Sequence, residues 1–109
     1  MNMTLDLYTI KWATTNYYDI IQVYKSLDKE LCYVREQYSK AMDPVRKAYF
    51  QGAMKGLVSA EEKLLETLVD LLQEQGYIST FDDVSDNYEI KLQKARPIME
   101  LLVQELWNE

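Results

Sequence analysis

Glu62, Glu66, Asp70 and Glu74 recur at every fourth position. On a helix that spacing stacks them into one column of carboxylates, each a turn from the next. Such a column can engage a basic groove, either as a docking stripe for a basic partner protein or as a mimic of a nucleic-acid backbone. Like charges at this spacing repel by about a few tenths of a kcal/mol per pair, so local helix stability does not account for it. Acids near a helix N-terminus would be favoured by the helix dipole. That accounts for Glu61 and Glu62 if a helix starts nearby, but not for Asp70 and Glu74 towards the opposite end. The plain alternative is a solvated face.

Other chemistry is thinly represented. The stretch DDVSDNYE brings Asp82, Asp83, Asp86 and Glu89 close together, yet a calcium loop starting at Asp83 wants glycine at its sixth position and glutamate at its twelfth. Tyr88 and Lys94 stand there instead, and these acids read as helix-cap and loop residues. The chain has no histidine, which removes the commonest general base and metal ligand and every Ser-His or Cys-His pairing. Its one cysteine, Cys32, excludes thiolate-rich zinc sites. Placed beside Leu31, it reads as a buried, inert thiol. Gly52 and Gly56 are not followed by the Lys-Ser/Thr pair of a phosphate loop. No pair of carboxylates is singled out for acid–base work. The expectation is a protein that is not an enzyme and has no cofactor or metal.

The elements that position these residues are helical. Ile20, Tyr24, Leu27, Leu31, Val34, Tyr38 and Ala41 follow steps of three and four, which predicts a helix over 16–41 with Thr15 or Asn16 as its cap. Glu36 and Lys40 form a favourable pair on its surface. Asp43 before Pro44 is a normal helix opening, since proline has no N–H to miss at the first position, and it predicts a sharp antiparallel reversal.

Beyond it, Ala48, Gly52, Gly56 and Ala60 are small residues at strict four-residue spacing, and the row continues as Leu64, Leu68 and Leu72. Ser59 and Glu62 have capping-box spacing, so a break at 56–58 competes with one long helix over 44–75. The unbroken row favours the long helix. Two interior glycines cost about 1 kcal/mol each relative to alanine, which close approach of another helix could offset. The row is therefore a candidate surface for helix packing or self-association.

Gly76 suits the helix end, with Tyr77 and Ile78 able to fold back on it. A last helix over 86–107 opens at Asp86 and carries the line Tyr88, Leu92, Ala95, Met99, Leu102 and Leu106, with a kink expected around 93–97 from Pro97. At the start of the chain, Leu5, Tyr8 and Trp12 make a helical line and imply a short helix. The predicted fold is all-α: an antiparallel bundle of three principal helices (16–41, 44–75, 86–107) with a short N-terminal segment, in one domain spanning 1–109.

Composition fits this architecture. The chain has 109 residues, 48% of them hydrophobic and 28% charged, with three glycines and two prolines. That is enough apolar material for one modest core and few breaks for a many-turned β fold. No run approaches a membrane span, the N-terminus lacks signal-peptide features, and a single cysteine fits a reducing cytoplasm.

The net charge of −6 argues against a protein that binds nucleic acid by neutralising phosphates. Within the long helix, residues 44–58 carry Arg46, Lys47 and Lys55 with no acid. Residues 59–75 carry Glu61, Glu62, Glu66, Asp70 and Glu74 against Lys63 alone. Nine tyrosines and two tryptophans, some adjacent as in Tyr17–Tyr18 and Tyr49–Phe50, exceed what a three-helix core can bury on one side and point to a protein partner or a homodimer.

The reading is a non-enzymatic protein-binding domain. Its sharper form is a small acidic inhibitor or immunity-type protein, of the kind carried by phage and other mobile elements, acting on a basic partner through the carboxylate column. The competing reading is a small helical subunit of a nucleoprotein complex, touching nucleic acid through Lys25, Lys29, Arg35, Arg46, Lys47 and Lys55.

Overall fold

Pro44 forces its predecessor out of helical geometry, and Asp43 is extended (φ −84°, ψ 128°). Ala41, two residues earlier, is also extended and closes the helix before it. Only residues 41–43 therefore separate two helices, which fold back on each other as a hairpin. In the computed structural model, which describes residues 6–76 and 88–107, the elements are α1 (Leu7–Asn16), α2 (Tyr18–Lys40), α3 (Pro44–Glu74) and α4 (Tyr88–Trp107). No strand occurs among the described residues. The α2–α3 hairpin has the most extensive packing, α4 lies against α3, and α1 folds back onto α4.

The architecture is the all-α bundle expected, with one more helix than the three principal ones. The long helix is unbroken: α3 passes through Gly52, Gly56 and Ser59. It ends where Gly76 takes a left-handed conformation (φ 78°). There the N–H groups of Gly76 and Gln75 donate to the carbonyls of Gln73 and Leu71, satisfying orphan acceptors of the last turn. α4 continues through Pro97 as one helix. Glu36 and Lys40 form the expected ion pair at 2.8 Å. The expectations at Leu5, Tyr77, Ile78, Asp82, Asp83 and Asp86 lie outside the described residues.

The predicted helix over 16–41 is corrected at its start. Thr15 and Asn16 do not cap it. Their side chains donate to the carbonyls of Lys11 and Trp12 one turn back, so they finish α1 instead. The chain bends at Tyr17, which opens α2 with no side-chain cap of its own. The ring of Tyr17 packs edge-on against Trp12, with centroids 5.3 Å apart. α1 is held at its own start by Asp6, whose carboxylate accepts the Thr9 N–H at 2.7 Å. On this helix Tyr8 faces water, Trp12 is half-buried against the core, and Thr9, Ala13 and Thr14 turn inwards.

The core draws on all four helices: Ala13 from α1, Ile21 and Tyr24 from α2, Leu65, Leu68, Val69 and Leu72 from α3, and Leu92, Ala95, Ile98, Met99 and Leu102 from α4. It occupies one end of the molecule. No residue between 35 and 60 is buried, so the turn end of the hairpin projects as a two-helix arm. Within the arm the Lys47 ammonium lies 5.7 Å from the Tyr38 ring centre. The radius of gyration is 15.9 Å, with extents of 49 × 36 × 19 Å. A compact chain of this length would have a radius of about 13 Å.

Two further expectations are corrected. Cys32 is exposed, because the buried positions around it are Leu31 and Val34 and the next residue along a helix points about 100° away. The row from Ala48 to Leu72 does not stay on one packed face. Steps of four advance about 40° beyond a full turn, so the row winds around the helix. Ala48, Gly52 and Gly56 are exposed, Ala60 and Leu64 are half-buried, and Leu68 and Leu72 are buried. A Cβ added at Gly52 or Gly56 would meet nothing within 4 Å. No described helix of this chain closes on the glycines.

Candidate interaction face

α3 sorts its residues cleanly. Glu61, Leu65, Leu68, Val69 and Leu72 face the bundle, and the opposite side is a stripe running the length of the helix. Positions 45, 52, 56, 59, 63, 70 and 74 on that stripe are all exposed, and Glu62 and Glu66 at its margin are half-buried. The stripe thus joins two features that the sequence presents separately. The small residues Ala48, Gly52 and Gly56 occupy its first half, and the carboxylates of Glu62, Glu66, Asp70 and Glu74 occupy its second. A 31-residue helix is about 46 Å long at 1.5 Å per residue, so the stripe approaches the full 49 Å length of the molecule.

Apolar side chains gather at the arm end of the stripe. Met42 is 92% exposed, Val45 75% and Tyr49 71%, with Tyr33 on α2 also exposed. Tyr49 and Phe50 are in edge contact at 5.3 Å between ring centres. Met42, Val45 and Tyr49 leave most of their surface to solvent.

The six basic residues proposed to face nucleic acid are divided by the structure. Lys25 and Lys29 line an open depression on α2 together with Tyr24, Asp28 and Glu100. Arg35 acts on the buried Glu61. Arg46, Lys47 and Lys55 are exposed on α3.

A group that the sequence did not single out is Glu61. It is 2% exposed and sits where α2, α3 and α4 meet, hydrogen-bonded to Asp28 and within electrostatic reach of Arg96 and Arg35. Burial, then the neighbouring Asp28, pushes its pKa up to about 6, and the two arginines only partly offset this. Loss of hydration for a charged carboxyl outweighs the attraction. Tyr24 beside it is raised to about 12, chiefly by burial and then by Glu61. The signal was present in the spacing: Glu61 precedes Leu65, Leu68 and Leu72 by four, seven and eleven residues, which is core periodicity.

The depression next to this cluster has a volume of about 350 Å³ and is shallow and mixed in character, lined also by Val103 and Gln104. Among the described residues no three metal-ligating side chains converge, and no helix is long and apolar enough to cross a membrane. No family model, no curated protein and no solved structure matches the chain.

Proposed function

We propose that this chain is a non-enzymatic protein-binding domain that docks on a basic protein surface through the outer face of α3, with Glu62, Glu66, Asp70 and Glu74 as the charged contacts. The observation that carries this reading is the position of the column. It runs along the open side of a helix whose opposite side holds the core, with Asp70 and Glu74 exposed and Glu62 and Glu66 half-buried at its margin. The exposed Val45 and Tyr49 on the same helix supply apolar area of the kind found at the centre of interfaces. A small acidic inhibitor or immunity-type protein, of phage or mobile-element character, acting on a basic partner in the cytoplasm is the specific form of this reading.

The test compares the protein with a Glu66→Lys/Glu74→Lys variant as parallel immobilised baits, after circular dichroism shows that both are folded. A protein retained by the wild type at low salt, released as salt rises and not retained by the variant supports the reading, because exposed charge pairs are screened by salt. Equal retention by both baits overturns it.

A further inference from the structure

We infer that the two-helix arm is gated at its root by one proton, held between Glu61 of α3 and Asp28 of α2, and that loss of this proton lets the arm open while the rest of the bundle stays closed. Residues 35–60 are at most half-buried. Separation of the two helices from their turn therefore meets no closed contact until the arm joins the bundle. There the last buried positions of α2 are Leu31 and Val34, and the first of α3 is Glu61. Met54, Val58, Glu61, Leu65, Leu68 and Leu72 follow steps of four and three, the spacing of one packed helix face. A carboxyl thus fills the place in this row at which the arm is anchored.

A hydrocarbon in that place would hold equally at any pH. Glu61 hydrogen-bonds to Asp28, and a hydrogen bond between two carboxyl groups needs a proton on one of them, because an ionised carboxyl only accepts. The link from α3 to α2 therefore exists only while the proton is held. Without it, two like charges face each other between the helices, one of them out of water. Arg35 of α2 and Arg96 of α4 favour the charged form, but burial and Asp28 outweigh them. Tyr24 of α2 also meets Glu61 and has Glu100 of α4 in reach. With its pKa pushed up to about 12, it keeps its proton throughout. Lys25 and Lys29 line the depression beside Asp28.

Opening the arm returns Glu61 to water. Its pKa is about 6 when closed against 4.5 for the ordinary carboxyl, so the contact is at full strength below about pH 4.5 and weakens as pH rises through about 6. The population of open arm should grow about tenfold between pH 5 and 8. Glu36, paired with Lys40 in the same arm, has its pKa lowered and stays charged across this range. Opening uncovers Tyr38, Phe50, Met54, Leu57 and Val58, which are half-buried in the closed arm.

Hydrogen exchange read by mass spectrometry, corrected for the pH dependence of the intrinsic rate, tests this on wild type and a Glu61→Gln variant. In wild type, protection over residues 45–58 should fall about tenfold from pH 5 to 8, and at each pH it should stay below the protection over 65–72. In the variant, protection over 45–58 should hold level. Level protection over 45–58 in wild type overturns the inference, because the arm would then fray without disturbing Glu61. Protection as high as that over 65–72 overturns it too, because the arm would then open only with the whole molecule. So does an equal fall in the variant, which would place the titrating group elsewhere.

Discussion

Replacing Glu61 by glutamine isolates one titration in a protein that carries 18 acids. Glu61 is 2% exposed, and its pKa is raised from 4.5 to about 6, by burial first and Asp28 second. The folded state therefore holds this proton more tightly than the unfolded chain. The corresponding stability is fully present below about pH 4.5 and is lost as pH rises through about 6. A shift of this size corresponds to at most about 2 kcal/mol. Because Asp28 beside it is exposed and water screens the pair, about 1–2 kcal/mol is the expected loss.

Glutamine keeps the volume and can donate a hydrogen bond to Asp28, and it carries no proton to lose. Urea denaturation followed by circular dichroism, from pH 4.5 to 8, should show the two proteins equally stable at the acid end and the Glu61→Gln variant more stable by about 1–2 kcal/mol at pH 7.5. Titrating groups that do not interact with Glu61 cancel in the difference. A difference that is flat across this range, or that grows towards acid pH, refutes the account. In that case Arg96 and Arg35 would hold Glu61 as a charged group.

Other outcomes follow from single contacts. Gly52→Ala and Gly56→Ala place a methyl in open space on a helix, so each should raise the stability of the monomer by about 0.5–1 kcal/mol; a loss of stability in urea melts at high salt would contradict that geometry. Cys32 is exposed and should react with a thiol reagent in native buffer within a few-fold of its rate in denaturant, whereas a thiol that reacts only after unfolding would contradict the structure. Asp6→Ala removes the bond to the Thr9 N–H and should speed hydrogen exchange in the first turn of α1. The cap holds the Asp6 pKa below 3.8, so wild type should show the same fraying only as pH falls below that value. Unchanged exchange in the variant would show that α1 is held by its packing on α4 alone.

Much of the fold could be read from local rules. The Asp43–Pro44 pair marks a reversal wherever it occurs between apolar-periodic segments, and Gly76 ends α3 through a backbone conformation that other residues adopt at a cost. Leu92, Ala95, Met99 and Leu102 are buried along the line their spacing draws. The α1–α2 boundary was not legible, because Thr15 and Asn16 serve equally well as caps for a following helix and as donors to a preceding one. Only the placement of α1 on α4 decides between these roles. The packed side of α3 was legible only in part. A row at four-residue spacing stays on one face over two or three turns and then leaves it, so Leu68 and Leu72 were rightly inward while Ala48, Gly52 and Gly56 turned outward. The carboxylate column was visible in the sequence, but its sharing of a face with the small row required the helix to be continuous. Glu61 was overlooked because a charged residue scores against burial even where its spacing demands it.

The bare turn end of the α2–α3 hairpin also bears on how the chain reaches its fold. A helical hairpin with buried contacts next to its turn can zip from there, closing a short loop at little entropic cost. Here residues 35–60 are at most half-buried, and the fully buried contacts between the two helices lie at the far end, as where Tyr24 meets Glu61. Closing that distance must precede most of the stabilising burial, and α4 must join before the core is complete. The search is thus made slower than the short three-residue connection between α2 and α3 would suggest. The arm is then the last part to tighten and the first to open, fluctuating while the bundle end stays intact.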